Sequence, residues 1–396
     1  MGTENHLKIL VVDDEVDLEP LIRQRFRKQI REGTYDFLFA HNGLEALAKL
    51  IEYPEIGIIL SDINMPEMDG LTLLLKLKEL KNPSLKTVIV SAYGDIENIR
   101  TAMNRGAFDF LTKPINFEDL EITISKTQEE ILQVRQSMAE HHQLLSIQHD
   151  LETAREIQQA ILPKEFPPFH HRNEFDIYAS MKAAKEVGGD FYDFFLIDSD
   201  RLGFVIGDVS GKGVPAAIFM AVSRTLIRAT GLKGISPDEC IEYANHLLCN
   251  ESTSCMFVTV FYGILDIRTG IVEYVNGGHN PPHLIRGDGT IHPVDLTGGT
   301  VLGCVDHAAY EARNLTLKPG DTIYLYTDGV TEAFNRNHEA FGEQRIEELL
   351  TRHRNLPIKD LVLETIRAVE SFADNVPQSD DITLLTLRYN GQSTLT

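Results

Sequence analysis

The chain has 396 residues, 43% of them hydrophobic and 24% charged, which suits a globular protein but exceeds one ordinary domain. Its formal net charge of -22 at pH 7 argues against nucleic acid and anionic membrane surfaces as partners, since both attract basic chains.

Five short apolar runs come first: "LKILVVDD", "YDFLFA", "IGIILSD", "TVIVSA" and "FDFLTKP". Helical patterns lie between them at 15–31, 43–52, 71–80 and 95–105. Buried strands separated by helices predict a doubly wound parallel α/β sheet, whose ligand crevice lies at the carboxyl ends of its strands. The unusual polar residues fall at those ends: Asp13 and Asp14, Asp62, Ser91 and Lys113. From about Glu118 to Leu162 the chain is polar and free of Gly and Pro, which predicts one extended helix ended by Pro163 and Pro167. Ile124, Ile131, Val134 and Met138 recur in heptad fashion, and Leu144, Ile147, Leu151, Ala154 and Ile161 follow in a shifted phase. That pattern predicts a coiled-coil linker, and through it a homodimer.

Beyond residue 165 the texture changes. Alternating strands ("FDIYASM", "LGFVIGD", "MFVTVFYGILD", "GIVEYVN", "DTIYLYTD", "DITLLTLRY") mix with helical patterns at 214–229, 236–249, 342–353 and 358–372. Antiparallel sheets with helices packed on them, an α+β layered domain, are expected. The predicted organisation is 1–125, a linker over 126–162, and 163–396. Cys240, Cys249, Cys255 and Cys304 have neither CxxC spacing nor disulfide-scaffold density, and read as reduced structural thiols. The opening "MGTENHLKIL" has no basic segment leading into an apolar one, and no later run approaches ~18 apolar residues, so a cytoplasmic protein is expected. The 14 histidines show no HxH or HExxH spacing and read as surface or linker residues.

Asp13, Asp14 and Asp62 are three carboxylates on one rim, and close like charges cannot all stay ionised without a cation. A Mg2+ ion held by carboxylates would resolve this, with Lys113 as a second positive charge and Ser91 suited to a phosphoryl oxygen. Asp62 would then be a nucleophile that takes a phosphoryl group as an acyl phosphate. In order, "VVDDE", "SDINMPEMDG", "SA" and "TKP" resemble the receiver domains of response regulators over about residues 5–125. The resemblance implies a flavodoxin-like fold and phosphorylation of Asp62 by a sensor histidine kinase. It makes Asp13 and Asp14 the acidic residues at Mg2+ and gives Asn64 a backbone carbonyl ligand. Ser91 and Phe110 match the pair that reorients on phosphorylation.

A second set of aspartates sits at strand ends and glycine turns: "GGDFYDFF" (Asp190), "IGDVSGKG" (Asp208), "YTDGVTEA" (Asp328) and "QSDDIT" (Asp380, Asp381). With no histidine cluster the donors are all oxygens, which favours Mg2+ or Mn2+ over zinc. Two such ions sharing a water would activate it for in-line attack on a phosphate. "AREIQQAILP", "EVGGDFYDFF", "GDVSGKGVPAA", "NGGHNPP", "LYTDGVTEAF" and "DDITLL" resemble the PPM family of metal-dependent serine/threonine phosphatases, in its SpoIIE and RsbU branch, over about 150–390. That likeness implies two antiparallel sheets flanked by helices. It makes Asp190, Asp208, Asp328 and Asp380 metal ligands, and Val209 a backbone carbonyl ligand. Asp381 aligns where many relatives have Asn, so either member of the Asp380–Asp381 pair is open as the ligand. Asp193 is a candidate just behind the ligands. Ser210 stands where the eukaryotic type 2C enzymes carry a histidine, so metal-bound water replaces that general acid. Asn276 and His279 are expected to organise a turn beside the site.

The two resemblances together imply a response regulator whose output is a phosphoserine/phosphothreonine protein phosphatase. The implied substrate is an anti-sigma-factor antagonist of the STAS class. The alternative is a phosphatase-like domain kept as a non-catalytic binding module for a sigma-factor regulator, for which loss of ligand aspartates would be the sign. A DNA-binding regulator is disfavoured by charge and by the lack of a recognition helix.

Overall fold

The computed structural model describes residues 6–92, 94–251 and 256–392, so the expectations for Cys255 and for the first five residues lie outside the described residues. The chain forms two compact units, Met1–Ile147 and Gln148–Thr396.

In the first unit, β1 (Leu7–Val12), β2 (Tyr35–Ala40), β3 (Ile56–Asp62), β4 (Lys86–Ala92) and β5 (Asp109–Lys113) form a parallel sheet of order β2-β1-β3-β4-β5. β3 is buried at every position, as a central strand covered on both faces must be. Its neighbours along the chain are α1 (Leu18–Arg25), α2 (Arg27–Arg31), α3 (Gly43–Glu52), α4 (Gly70–Glu79) and α5 (Ile96–Arg105). Asn42 caps α3 by accepting the Glu45 N–H at 2.8 Å, and Asp69 caps α4 by accepting the Thr72 N–H at 2.6 Å. The helical pattern at 15–31 is interrupted at Phe26. That ring is fully buried against Tyr35 and Phe37, with centroids 6.0 and 5.3 Å away.

α6 runs unbroken over Phe117–Ile161. Its apolar residues do two different things, which corrects the reading of the first heptad set, Ile124 to Met138, as wholly a coiled-coil seam. Leu120, Ile124 and Ile131 are buried in the core beneath the parallel sheet, with Leu7 and Val88. Met138, Leu144, Leu145 and Ile147 are exposed.

The second unit contains two antiparallel sheets. The first has the order β13-β10-β9-β8-β7, from β7 (Phe191–Leu196), β8 (Arg201–Val209), β9 (Val258–Asp266), β10 (Ile271–Gly277) and β13 (Arg313–Thr316). The second has the order β12-β11-β14-β15-β6, from β6 (Phe175–Lys182), β11 (His283–Ile285), β12 (Ile291–Pro293), β14 (Thr322–Tyr326) and β15 (Ile382–Tyr389). Phe191, Phe204 and Phe261 from one sheet share a core with Ile177, Leu325 and Leu385 from the other. α7 (Val214–Gly231) and α8 (Pro237–Glu251) cover the first sheet, while α10 (Gly342–His353) and α11 (Ile358–Ala373) cover the second beside the one-turn α9 (Asp328–Thr331). Sequence patterning missed β7, β11, β12 and β13. β11 and β12 have three residues each, and β13 is polar and largely exposed.

Candidate active sites

At the carboxyl edge of the parallel sheet, Asp62 ends β3 and Lys113 ends β5. Asp62 is buried; its Oδ1 accepts the Ile63 N–H at 2.6 Å and the Asn64 N–H at 3.3 Å. Its Oδ2 receives Lys113 Nζ at 2.6 Å. The same ammonium lies 2.8 Å from Glu15 Oε1 and 2.9 Å from Asp13 Oδ2. Burial works to lower the Lys113 pKa, but its contacts with Asp62, Glu15 and Asp13 outweigh this and hold it above the ordinary lysine range. Asp13 is shifted upward, chiefly by burial, against the opposing Glu15 N–H and Lys113. Asp14 is exposed, yet one carboxylate oxygen each from Asp13, Asp14 and Asp62 falls within 4.8 Å of the others. Gly70, which follows the Asp69 cap, is required: a Cβ there would overlap the Asp62 carbonyl oxygen. Ser91 is buried beside this edge, its hydroxyl 3.5 Å from Asp95 Oδ2, and Phe110 lies exposed on β5. Glu15 was legible only as the last letter of "VVDDE".

In the second unit five aspartates lie near enough to feel one another's charge, although no three of them bring carboxylate oxygens within 4.8 Å of one another. Asp190 precedes β7, Asp208 lies at the end of β8, Asp328 opens α9, and Asp380 and Asp381 precede β15. Asp208 lies beside Asp190 and feels the charges of Asp328, Asp380 and Asp381. Burial first, and the Asp328 charge next, push Asp208 up to about 7. Asp190 is wholly buried and is raised well above the carboxylate range by desolvation, then by Asp208 and Asp381. The Thr327 hydroxyl, 2.7 Å from Asp190 Oδ2, opposes that shift. Asp328 is raised by burial, then by Glu332 and Asp380.

Asp380 and Asp381 are neighbours in sequence with different surroundings. Both Asp381 oxygens are consumed by backbone: Oδ1 accepts the Ala184 N–H at 2.8 Å, and Oδ2 accepts the N–H groups of Gly189 at 2.6 Å and Asp190 at 3.4 Å. A Cβ at Gly188 would collide with that carboxylate, and one at Gly329 with the Asp381 carbonyl, so both glycines are dictated by packing. Asp380 instead turns toward the other aspartates, with Lys212 Nζ 2.8 Å from its Oδ2. Lys212 is raised, first by that hydrogen bond. The Val209 carbonyl faces Gly189, close enough to exclude a side chain there. Asp193 departs from the position expected of it. It is fully buried between Arg224 and Arg228 of α7, at 2.8 and 2.7 Å, and so ties α7 to β7.

Ser210 Oγ accepts the Phe257 N–H at 3.0 Å, so this hydroxyl is anchored to the backbone. Asn276 closes the "NGGHNPP" turn, accepting the His279 N–H at 2.7 Å and donating to the His279 carbonyl at 2.9 Å. His279 is buried against Thr259, and desolvation lowers it to about 4, so the imidazole is neutral. One contact escaped the sequence altogether. Gln158, near the end of α6, makes a two-way bridge to Gly188: its amide donates to the carbonyl at 2.6 Å and its oxygen accepts the N–H at 3.0 Å. The linker helix thereby grips the loop that carries Asp190.

Residues 9–125 match the response regulator receiver domain family, and residues 198–390 match the family of Stage II sporulation protein E (SpoIIE). Protein IcfG of Synechocystis is 33% identical over 269 residues, covering 61% of this chain and 42% of its own length. Phosphoserine phosphatase RsbU of Bacillus subtilis is 29% identical over 255 residues, covering 63% of this chain and 74% of its own. The chain therefore spans under half of IcfG and about three quarters of RsbU. The SiaA-PP2C domain of Pseudomonas aeruginosa superposes with a TM-score of 0.56 at 22% identity, over 62% of this chain and 98% of that domain, which places the second unit in the same fold. No helix among the described residues is long and apolar enough to cross a membrane. A parallel sheet with its Asp–Lys edge, two antiparallel sheets with neighbouring aspartates, and these matches give the chain a response regulator receiver domain joined to a domain of the SpoIIE family.

Proposed function

We propose that this protein is a two-component response regulator whose output is a metal-dependent phosphoserine/phosphothreonine protein phosphatase. The observation that carries the reading is the proximity of Asp190, Asp208, Asp328 and Asp380: burial raises the first three, Asp208 repels Asp190, and the charge of Asp380 bears on Asp208 and Asp328. Such a group fits divalent cations, because only positive charge relieves both penalties together. The donors are oxygens, as Mg2+ or Mn2+ prefers. The ligands we assign are Asp190, Asp208, Asp328, Asp380 and the Val209 carbonyl, and bound ions would supply an activated water and neutralise phosphoryl charge. Asp381 we assign to the loop rather than to metal, since its carboxylate is already saturated by backbone N–H groups. Lys212 provides a cation at the rim, and neutral His279 holds its turn rather than a proton for transfer.

The receiver reading rests on the same logic. Asp13, Asp14 and Asp62 fit one Mg2+, with Asp13 Oδ2 buried and lacking an aligned hydrogen bond. Asp62 would accept a phosphoryl group from a sensor histidine kinase, Lys113 would neutralise it, and Ser91 with Phe110 would report it. The proposed substrate, by analogy with RsbU as a phosphoserine phosphatase, is a phosphorylated STAS-type anti-sigma-factor antagonist. The exposed apolar residues of α6 supply a surface for a homodimer. The Gln158 bridge gives α6 a direct hold on the catalytic loop, so the helix would carry the receiver's state to the aspartates.

Hydrolysis of p-nitrophenyl phosphate with Mn2+ or Mg2+ tests the reading. EDTA should abolish turnover, and Asp208→Asn or Asp328→Asn should reduce it at least ~100-fold. Wild-type turnover in either variant removes the assigned metal roles. A wild-type protein inert toward phosphorylated STAS substrates as well favours the binding-module alternative.

A further inference from the structure

Away from both aspartate sites, the structure joins three donors that sequence spacing kept apart. His246 of α8 and the pair Asp306–His307 meet with His246 Nδ1 2.9 Å from Asp306 Oδ1 and His307 Nε2 3.4 Å from Asp306 Oδ2. The two imidazoles stack, centroids 5.3 Å apart and planes at 21°. One ligand atom from each of the three residues lies within 4.8 Å of the other two. Both histidines lie at the surface, as expected from the sequence, but they are not scattered.

The cluster stands on an ordered support. Asn245, one residue before His246, accepts the Gly303 N–H and donates to the Val305 carbonyl, both at 2.9 Å. Leu302 and Val258 exchange both backbone hydrogen bonds, at 2.9 and 3.0 Å. The segment bearing Asp306 is therefore fixed to α8 and to β9. On the far side of His246, the Asn250 amide lies 3.2 Å from Nε2. A side-chain amide can present either its nitrogen or its oxygen. With its oxygen toward an Nε2–H, it selects the tautomer that frees Nδ1, the outer partnership typical of metal-bound histidine.

Two imidazoles and a carboxylate make a donor set unlike the oxygen-only sites of this chain. It suits Zn2+ and similar transition metals, and poorly suits Mg2+. We propose that His246, Asp306 and His307 form a third metal site, of the class that takes Zn2+, which pins α8 to the 302–307 segment. The fourth position opens to solvent, because Asp306 and His307 are exposed. The site is independent of the phosphatase reading, and its test is binding rather than turnover.

The full chain is stripped of metal, given excess Mg2+ to fill the oxygen-only sites, then exposed to Zn2+ and desalted. Zinc content and melting temperature are measured for wild type, His246→Gln, His307→Gln and Asp208→Asn. The expected result is one zinc equivalent fewer in each histidine variant than in wild type, with the Zn2+-induced rise in melting temperature lost. Both variants should keep a wild-type circular dichroism spectrum, and Asp208→Asn should retain the histidine-dependent equivalent. Equal zinc content and equal thermal response in wild type and both histidine variants would overturn the site, leaving a plain His–Asp ion pair. Should one variant misfold, the other decides alone, since either removes a ligand.

Discussion

Asp380 and Asp381 should separate cleanly when each is replaced by alanine. Asp381→Ala removes the acceptor for the N–H groups of Ala184, Gly189 and Asp190, two of them at 2.8 and 2.6 Å, in a loop buried beneath the site. Hydrogen bonds to a charged acceptor contribute about 1.5–3 kcal/mol each, so the loss of the two short ones should cost about 3–6 kcal/mol. In a unit of this size that lowers the melting temperature by roughly 6–24 °C. Asp380→Ala should behave in the opposite way. Its Lys212 pair is part-exposed, with side chains 30% and 41% accessible, and contributes little. Its charge also repels Asp208 and Asp328, so its removal leaves the metal-free protein as stable as wild type or more so. Metal reverses the order, because ligand binding to the native state raises stability by mass action. Mn2+ should raise the melting temperature of wild type but hardly that of Asp380→Ala. Differential scanning fluorimetry with and without Mn2+ reads all of this. An Asp381→Ala protein that melts like wild type but ignores Mn2+, beside an Asp380→Ala protein that responds fully, would reverse the assignment.

Other outcomes follow from the same geometry. Asp62→Asn should abolish phosphorylation by acetyl phosphate while leaving metal-dependent turnover of the second unit in place; a shifted band of the variant on Phos-tag electrophoresis would contradict the acceptor role. His279, lowered to about 4 from an ordinary 6.5, favours the neutral form in the folded protein. Its contribution is therefore complete above pH 6.5 and is lost as pH falls toward 4, up to about 3 kcal/mol. The raised aspartates work in the opposite direction when metal is absent, so the measurement is the difference in urea stability between wild type and His279→Gln across that interval. Gln158→Leu strands the Gly188 N–H and C=O and should cost about 2–6 kcal/mol by the same denaturation assay, with a weakened Mn2+ response.

The sequence made the chemistry legible wherever a charge interrupted an apolar strand. Asp62 and Lys113 each end a strand and Asp208 stands one residue before the end of another, and apolar runs located those strands to within a residue or two. Glycines beside the aspartates could be read as turns, but their reason was hidden: Gly70, Gly188 and Gly329 each face a backbone or carboxylate oxygen that no pattern along the chain reveals. The short strands β11 to β13 were hidden because partners across the sheet, rather than their own residues, hold them in place.

Spacing fails most completely where a site is assembled from distant segments without a charge at a strand end to mark it. His246 and Asp306 are 60 residues apart, and Gln158 and Gly188 are 30 apart. Gln158 is the instructive case, since on α6 it reads as one polar residue among many in "AREIQQAILP". Its burial turns it into a constraint, because a buried amide must place both its donor and its acceptor. Gly188 offers a carbonyl and an N–H side by side, and the bridge satisfies both partners at once. Rotating or sliding α6 by one residue, ~100° and ~1.5 Å, would swing the amide away and strand four polar groups in the interior. The loop must then follow the helix or lose its support, and the Gly189 and Asp190 N–H groups that bind Asp381 move with it. A glutamine on the linker helix thus ties the geometry of Asp190 to the position of α6, using two hydrogen bonds and no charge.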